Sequence, residues 1–212
     1  MGRSHIINVP YYQHRGWSLP LYQPQYPYTE SSGYILEILQ ASTSMLDTAM
    51  TLRYRSYLGV FSIQYPQEYP NNPTNHLFCK CMEIFLQRIK MLLPIYIWVR
   101  ERNLSEHQHY HLGLIIDDRY TQSLIEIGQE LEYLWNRELG FYKFNSGLID
   151  YQSAERSKCV LLSSDLANYT VYSNAFYKLS YLAKMHSKET DLPHGVRRWM
   201  KSQFHPTSPA GV

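Results

Sequence analysis

The sequence predicts an α+β fold, because segments with a two-residue hydrophobic alternation and segments with a helical repeat follow one another in a mixed order. Between residues 57 and 150 that order is strand, helix, strand, strand, helix, strand. It is the split βαβ arrangement of ferredoxin-like and RNA-recognition-like (RRM-like) layers. We therefore expect an antiparallel sheet covered by helices on one face, with a histidine-rich segment on a central strand.

The first half of this pattern lies between residues 30 and 93. Apolar residues recur at near-helical spacing from residue 30 to about residue 53, which predicts an amphipathic helix on the main body. Tyr57–Tyr65 has the composition of a strand, and prolines follow it. Asn75–Leu93 again shows one apolar helical face, and Pro94 is expected to stop this second helix.

A β-hairpin is predicted next. Leu93–Glu101 is rich in β-branched and aromatic residues, a turn-like segment follows, and His107–Asp118 alternates as a second strand. If the turn centres near Ser105, antiparallel pairing sets Glu101 directly across from His109.

This hairpin predicts a site for a divalent metal. Alternation places His109 and His111 on the same face as Glu101. Imidazoles bind divalent ions, and two histidines with one carboxylate leave positions open for water and phosphate oxygens, as a catalytic Mg²⁺ or Mn²⁺ requires. Glu106 and His107 are the substitute ligands if the turn centres elsewhere. A histidine pair with this spacing also occurs in cupin-like sites, zinc sites and ordinary hydrogen-bonded positions.

The second half of the pattern supplies the remaining elements. A helical repeat from residue 121 to 138 ends at Gly140, a usual helix stop. Tyr142–Asp150 is expected to form the next strand, and Cys159–Leu162 a weaker one. A last helix is predicted from Tyr172 to about Ser187.

The last helix carries tyrosines and lysines at three- and four-residue steps. Tyr177, Tyr181, Lys184 and Lys188 therefore share one stripe beside an apolar stripe. A Tyr-x-x-Lys pair after a histidine strand, in a basic segment, indicates a functional role for Tyr181. The alternative is a partly buried aromatic residue at a seam between helix and sheet.

The length of the chain, 212 residues, favours one sizeable domain with appendages. We divide it into an N-terminal irregular arm and helix (1–56), the main domain (57–202) and a C-terminal tail (203–212). No signal peptide opens the sequence, and no apolar run is long enough to cross a bilayer. The three cysteines suit reduced thiols in a cytoplasm.

The charge is unevenly distributed. The net charge of +2 is only weakly basic, but the C-terminal part is clearly cationic. Basic side chains there are candidates for contacts with DNA phosphates. These candidates are Lys178, Lys188, Arg197, Arg198 and Lys201.

Taken together, Glu101, the triplet His109-Tyr110-His111 and the later segment Tyr181-Leu-Ala-Lys184 resemble the HUH endonuclease superfamily, in which two histidines flank a bulky residue. More specifically, residues 57–202 resemble the YagK/YfjJ C-terminal domain family, also called the inovirus-type replication initiator family. The resemblance implies an HUH endonuclease core in a rolling-circle replication protein of a bacterial phage, prophage or plasmid.

The resemblance also implies a reaction. A bound metal would polarise the scissile phosphate, and Tyr181 would attack it, which leaves a 5′-phosphotyrosine and a free 3′-hydroxyl as primer. Tyr177 is a second candidate nucleophile, since some members of the superfamily use two tyrosines four residues apart. Lys184 would contact a neighbouring phosphate. The small Gly113 would leave room for the nucleotide or the tyrosine helix.

The implied partner is single-stranded or origin DNA, and no membrane is involved. The chain contains no ATP-binding Gly-x-x-x-x-Gly-Lys-Ser/Thr run, so a host helicase and polymerase are expected to unwind and copy the DNA.

Three other functions stay open. A transposase or mobilisation relaxase of the same superfamily would use the same site on different DNA. A non-catalytic regulator would bind nucleic acid through an RRM-like sheet and basic tail. A cupin-like enzyme would need an all-β barrel, which the two helical repeats in the main domain disfavour.

Overall fold

The computed structural model describes residues 4–23, 33–70, 72, 74–102, 107–119, 123–141, 146–185, 188 and 192–203. Its strands are β1 (Ile6–Ile7), β2 (Tyr11–His14), β3 (Trp17–Pro20), β4 (Tyr34–Ile35), β5 (Arg55–Ile63), β6 (Ile95–Glu101), β7 (His109–Asp117), β8 (Cys159–Leu162) and β9 (Trp199–Lys201). Its α-helices are α1 (Leu36–Leu52), α2 (His76–Arg88), α3 (Leu124–Glu138), α4 (Tyr151–Arg156) and α5 (Tyr169–Ser180). Short 3₁₀ turns cover Lys90–Leu92, Ser163–Ala167 and Tyr181–Ala183. Within these residues, no helix combines the length and apolar character needed to cross a membrane.

A five-stranded antiparallel sheet organises this α+β fold, in the order β8-β5-β7-β6-β9. Since β7 lies between β5 and β6 and is antiparallel to both, β5 and β6 run in the same direction, joined by α2. The hairpin of β6 and β7 has the predicted register, with Glu101 paired to His109. Alternation along two apolar strands fixes that register, because a slip of one residue would turn every side chain to the other face.

The described part of the segment Tyr142–Asp150 does not form the predicted strand. Residues 142–145 lie outside the described part, and Ile149 makes only an isolated bridge to Ile63. Asp150 then accepts a hydrogen bond from the Ser153 backbone N–H and starts α4 instead. The segment predicted as a weaker strand, Cys159–Leu162, forms the edge strand β8 beside β5.

Helices cover both faces of the sheet, so the prediction of one covered face is wrong. On the α1/α5 face, apolar residues of both helices pack on Leu58, Ile97 and Ile115. On the α2/α3 face, helices α2 and α3 pack on alternate residues of the same strands, such as Phe61 and Leu112. The helix predicted near residues 30–53 is α1, and its docking on the free face of the sheet removes apolar surface from water.

Residues 4–23 are not irregular, as was expected for the N-terminal arm, but form short strands. β2 and β3 form a hairpin around Arg15 and Gly16, which both have positive φ as a tight two-residue hairpin turn requires. β1 pairs with β4, and Leu19 and Leu21 are buried in the core of the α1/α5 face. Strands this short carry too little alternation to be recognised in a sequence.

Helix α5 ends earlier than predicted. It stops at Ser180, the 3₁₀ turn Tyr181–Ala183 follows, and Lys184 has extended backbone angles. No proline or glycine causes this end. Lys184 instead pairs with Tyr34 in an isolated antiparallel bridge, so a contact with the N-terminal segment ends the helix.

Candidate metal and tyrosine site

The predicted metal ligands meet at one end of the β6–β7 hairpin, on the α1/α5 face. The Oε2 atom of Glu101 lies 3.5 Å from Nε2 of His109 and 3.4 Å from Nε2 of His111. Atoms that bind one ion at about 2.1 Å lie roughly 3 to 3.5 Å apart, so these separations suit a shared divalent ion. Within the described residues, this is the one group of three or more ligand-type side chains close enough to hold a metal.

The site is mostly buried and is partly exposed at His109. Glu101 and His111 are buried, whereas the side chain of His109 is 22% exposed. His109 is therefore the ligand-type side chain of this group that contacts solvent most. Of the substitute ligands, Glu106 lies outside the described residues, and Nε2 of His107 contacts the Gln67 carbonyl oxygen at 3.1 Å.

Two lysines approach the same carboxylate. Lys188 is buried and forms an ion pair with Oε1 of Glu101. The ammonium of Lys184 lies 3.5 Å from Oε2, the oxygen that faces the histidines. Lys188 was expected at a DNA-binding surface, but it contacts Glu101 of the candidate metal site. It pairs with Oε1, while Oε2 faces the two histidines.

These contacts set the protonation states of the ligands. Burial alone would raise the pKa of Glu101, but hydrogen bonds with His109 and His111 and the charge of Lys188 hold it far below its usual range. Burial lowers the pKa of His111, against the opposing effect of Glu101. Burial likewise lowers the pKa of Lys188 to about 8 and reduces that of Lys184. An ionised carboxylate and a neutral imidazole are the forms that bind a metal.

Tyr181 lies beside the candidate metal ligands. Its phenolic oxygen is 3.5 Å from Nε2 of His111, and the two rings meet edge to face with centroids 5.0 Å apart. The ammonium of Lys184 lies 3.5 Å from the centre of the Tyr181 ring. The predicted pair Tyr181 and Lys184 is therefore assembled at the candidate metal site, although the two residues do not share an α-helix.

Gly113 explains how the tyrosine segment comes so close to the sheet. A Cβ atom at this position would lie 2.7 Å from Cδ2 of Leu179 and 3.2 Å from Cδ1 of Leu182. Any larger residue would force the side chains of Leu179 and Leu182, which flank Tyr181, to move. The expected space at Gly113 is thus filled by the tyrosine segment itself.

The other predicted site residues are spread over several parts of the structure, and Arg197 lines a groove with Asn75 and Cys79 on the α2/α3 face. Tyr177 packs against the ring of Tyr22, and Lys178 donates a hydrogen bond to the Ser157 carbonyl oxygen. Arg197 and Lys201 are exposed near and on β9. Arg198 is half-buried, and its carbonyl oxygen accepts a hydrogen bond from the Arg100 backbone N–H at 2.8 Å.

Sequence reasoning missed the contribution of the N-terminal segment. The ring of Tyr22 stands perpendicular to that of Tyr181, with centroids 5.0 Å apart. Because the chain contains 20 tyrosines, the sequence carries no signal that would single out this one.

Comparisons with known proteins bear on the same region. The sequence model described as the YagK/YfjJ C-terminal domain matches residues 71–196. The match includes the hairpin, both histidines, Glu101 and the segment Tyr181–Lys184. Searches of curated proteins and of solved structures give no match.

Proposed function

The chain belongs to the YagK/YfjJ C-terminal domain family, and on this premise and the geometry of its site we propose that it is a metal-dependent DNA-nicking enzyme of the HUH type. Its role would be to start rolling-circle replication by cutting one strand of origin DNA. The observation that carries the proposal is the 3.5 Å approach of the Tyr181 hydroxyl to His111, a member of the one metal-competent cluster among the described residues.

The chemistry of the donor set fits a divalent metal. Two imidazole nitrogens and one carboxylate oxygen converge, and Glu101 is buried and ionised. A bound Mg²⁺ or Mn²⁺ would supply Lewis-acid polarisation of the phosphate and offset the negative charge that develops on it. Lys188 holds the other carboxylate oxygen, as partners of ligand carboxylates usually do.

In the proposed reaction, the Tyr181 phenol loses its proton and its oxygen attacks the scissile phosphorus. A Tyr–O–P bond forms, and the bond from phosphorus to the 3′-oxygen breaks. The 3′-oxygen gains a proton and leaves as a free hydroxyl, while the 5′ side of the DNA stays on the enzyme as a phosphotyrosine. Lys184, beside both the phenol ring and Glu101, is placed to offset negative charge in this step.

The position of the histidines in the sheet supports the proposal. Strand β7 carries them between β5 and β6, where the split βαβ arrangement of a ferredoxin-like HUH core would place them. The exposed basic residues Arg197 and Lys201 would contact the DNA backbone. Unwinding and synthesis would depend on a host helicase and polymerase.

The test is covalent trapping. Purified full-length protein is incubated with Mn²⁺ and a labelled pool of single-stranded oligonucleotides that includes hairpin sequences, and the products are separated on a denaturing gel. We expect a labelled protein band and a shortened oligonucleotide with a free 3′-hydroxyl, both lost with EDTA and in Tyr181→Phe.

Tyr177→Phe is the matched control, four residues earlier on the same segment, and should retain the labelled band. Sequence-specific DNA binding without any labelled band would favour the non-catalytic regulator. Joining of the nicked strand to a second DNA, without extension from the 3′-hydroxyl, would favour a transposase or relaxase.

A further inference from the structure

The N-terminal segment holds the turn that carries Tyr181 from both sides. Before the turn, the Tyr22 backbone N–H donates a hydrogen bond to Oγ of Ser180 at 2.8 Å. After the turn, the Met185 N–H donates to the carbonyl oxygen of Gly33 at 2.9 Å. We call residues 19–23 and 33–35 the N-terminal clamp. The two hydrogen bonds fix the chain immediately before and shortly after Tyr181–Ala183.

The two halves of the clamp are also joined to each other. The Tyr34 hydroxyl donates a hydrogen bond of 2.6 Å to the carbonyl oxygen of Tyr22, while Tyr34 itself pairs with Lys184. Leu19, Leu21 and Tyr34 are buried in the core of the α1/α5 face, so the clamp is anchored rather than loosely attached.

The ring of Tyr22 limits where the Tyr181 ring can lie. Tyr181 meets His111 edge to face on one side and Tyr22 edge to face on another, each with centroids 5.0 Å apart. The ammonium of Lys184 lies over the same ring. The phenol is thus held between an N-terminal tyrosine and a metal-site histidine.

We propose that Tyr22 is a positioning residue, which keeps the Tyr181 hydroxyl at the metal site and so raises the rate of strand cleavage. The inference rests on the proposed nicking function, and it adds residues outside the range matched by the family. Holding a nucleophile within reach of its target removes a large part of the entropic barrier, and a displacement of about 1 Å can cost about 100-fold in rate. Tyr22 itself need not touch the DNA or the metal.

The experiment compares Tyr22→Ala, Tyr22→Phe and a control, Tyr11→Ala, in the full-length protein. Tyr11 lies on the same N-terminal segment but is 52% exposed. Single-turnover formation of the covalent product is measured with saturating Mn²⁺ and the oligonucleotide that wild type cleaves. Hydrogen exchange of residues 180–185 and Mn²⁺ affinity are measured in parallel.

We expect Tyr22→Ala to form the product about 10- to 100-fold more slowly, with unchanged Mn²⁺ affinity and faster exchange at Lys184 and Met185. Tyr22→Phe keeps the ring and should stay within about twofold of wild type, as should Tyr11→Ala.

A wild-type rate in Tyr22→Ala would overturn the inference while product formation by wild type still supports nicking. Slower cleavage accompanied by equal loss of Mn²⁺ affinity and of overall stability would also overturn it, in favour of a merely structural contact. If wild type forms no product, the nicking proposal fails, and unchanged exchange in Tyr22→Ala would separately refute a role of the Tyr22 ring in holding the turn.

Discussion

Arg100 and Glu101 are neighbours on β6, are equally buried, and lie on opposite faces of the sheet in opposite surroundings. On the α2/α3 face, Arg100 donates to Oδ1 of Asn75 at 3.0 Å, and the Tyr110 hydroxyl donates to the same atom at 3.1 Å. The amide of Asn75 donates to the Arg197 carbonyl oxygen at 2.7 Å. This network ties β6, β7 and the segment before β9 together inside the fold.

On the α1/α5 face, Glu101 instead faces two histidines and two lysines at a site that is partly exposed at His109. These four basic side chains are more partners than one buried carboxylate needs to balance its charge. The Tyr181 hydroxyl lies next to them. The comparison shows that burial of a charge does not identify a functional site. What distinguishes the two faces is a set of side-chain atoms that could bind a metal, beside a tyrosine hydroxyl and a partly exposed histidine.

The largest effect is expected from removing one of the candidate metal ligands on the α1/α5 face. In His111→Ala, covalent product formation should fall by about 1000-fold or more, because the metal loses a ligand and the phosphate its polarisation. His107→Ala, on the same histidine-rich segment but outside the cluster, is the control and should retain activity. Denaturing gels with Mn²⁺ measure the rate of covalent product formation in both variants. Equal rates in the two variants would show that the histidine cluster takes no part in the reaction.

Substitution of two glycines in neighbouring strands tests the difference between the α1/α5 face and the α2/α3 face. Gly113→Ala should slow cleavage about 10- to 100-fold, because its methyl group forces the side chains of Leu179 and Leu182, on either side of Tyr181, to move. Gly59→Ala introduces a similar collision, with Leu124, on the α2/α3 face. Both should lower the free energy of unfolding by about 1–3 kcal/mol, measured in urea, but Gly59→Ala should cleave normally once folded. Equal slowing in both variants would contradict the distinction between the faces.

On the α2/α3 face, Arg100→Met should lower the stability of the fold without changing metal binding. Losing a charge-assisted hydrogen bond inside the Asn75 network should reduce the free energy of unfolding by about 2 kcal/mol. The Mn²⁺ affinity of the folded protein, measured by calorimetric titration, should not change. Weaker Mn²⁺ binding in this variant would show that the two buried charges are coupled through the sheet.

Lys184→Ala should change metal binding and cleavage in opposite directions. Its ammonium lies 3.5 Å from the carboxylate oxygen that faces the histidines, so removing this positive charge should strengthen Mn²⁺ binding by about tenfold. Product formation should fall, since Lys184 also lies over the Tyr181 ring. Lys178→Ala, on α5 and directed to Ser157, controls for loss of a lysine from the same segment. Weaker Mn²⁺ binding in Lys184→Ala would contradict this account of the site.

The smallest effects should come from the surface. Arg197→Gln and Lys201→Gln should each weaken binding of single-stranded DNA and reduce the slope of log affinity against log salt concentration by about one. Lys80→Gln removes an exposed lysine on α2, which pairs with Glu138 at 2.7 Å, and should leave the slope unchanged. Fluorescence anisotropy over a range of salt concentrations measures the slope for each variant. If Arg197→Gln and Lys201→Gln have the same slope as Lys80→Gln, then β9 and the residues just before it do not bind DNA.

Much of the centre of this fold could be predicted from local pattern. The β6–β7 hairpin consists of two strand-like segments around one turn, so the pairing of Glu101 with His109 follows once the turn is placed. Helices α2 and α3 have clear apolar stripes, and Gly140, with a φ of 77°, follows α3 as expected.

The parts that escaped prediction depend on contacts between distant segments. Lys188 turns inward only because the chain leaves α5 after Ser180, and no local signal marks that exit. Tyr22 and Tyr34 acquire their roles from docking of the N-terminal segment on the tyrosine turn. The covering of both faces likewise follows from where α1 and α5 pack, which periodicity does not specify.

Peptide mapping of the covalent product by mass spectrometry is the most direct test of the central claim, that Tyr181 at the Glu101–His109–His111 cluster is the nucleophile. Wild-type protein is trapped with Mn²⁺ and single-stranded DNA, digested with protease and nuclease, and searched for a peptide that carries a nucleotide. The account predicts a 5′-linked nucleotide on the peptide containing Tyr181, and none when EDTA is present. A nucleotide on Tyr177 or any other residue, or equal labelling in EDTA, would contradict it.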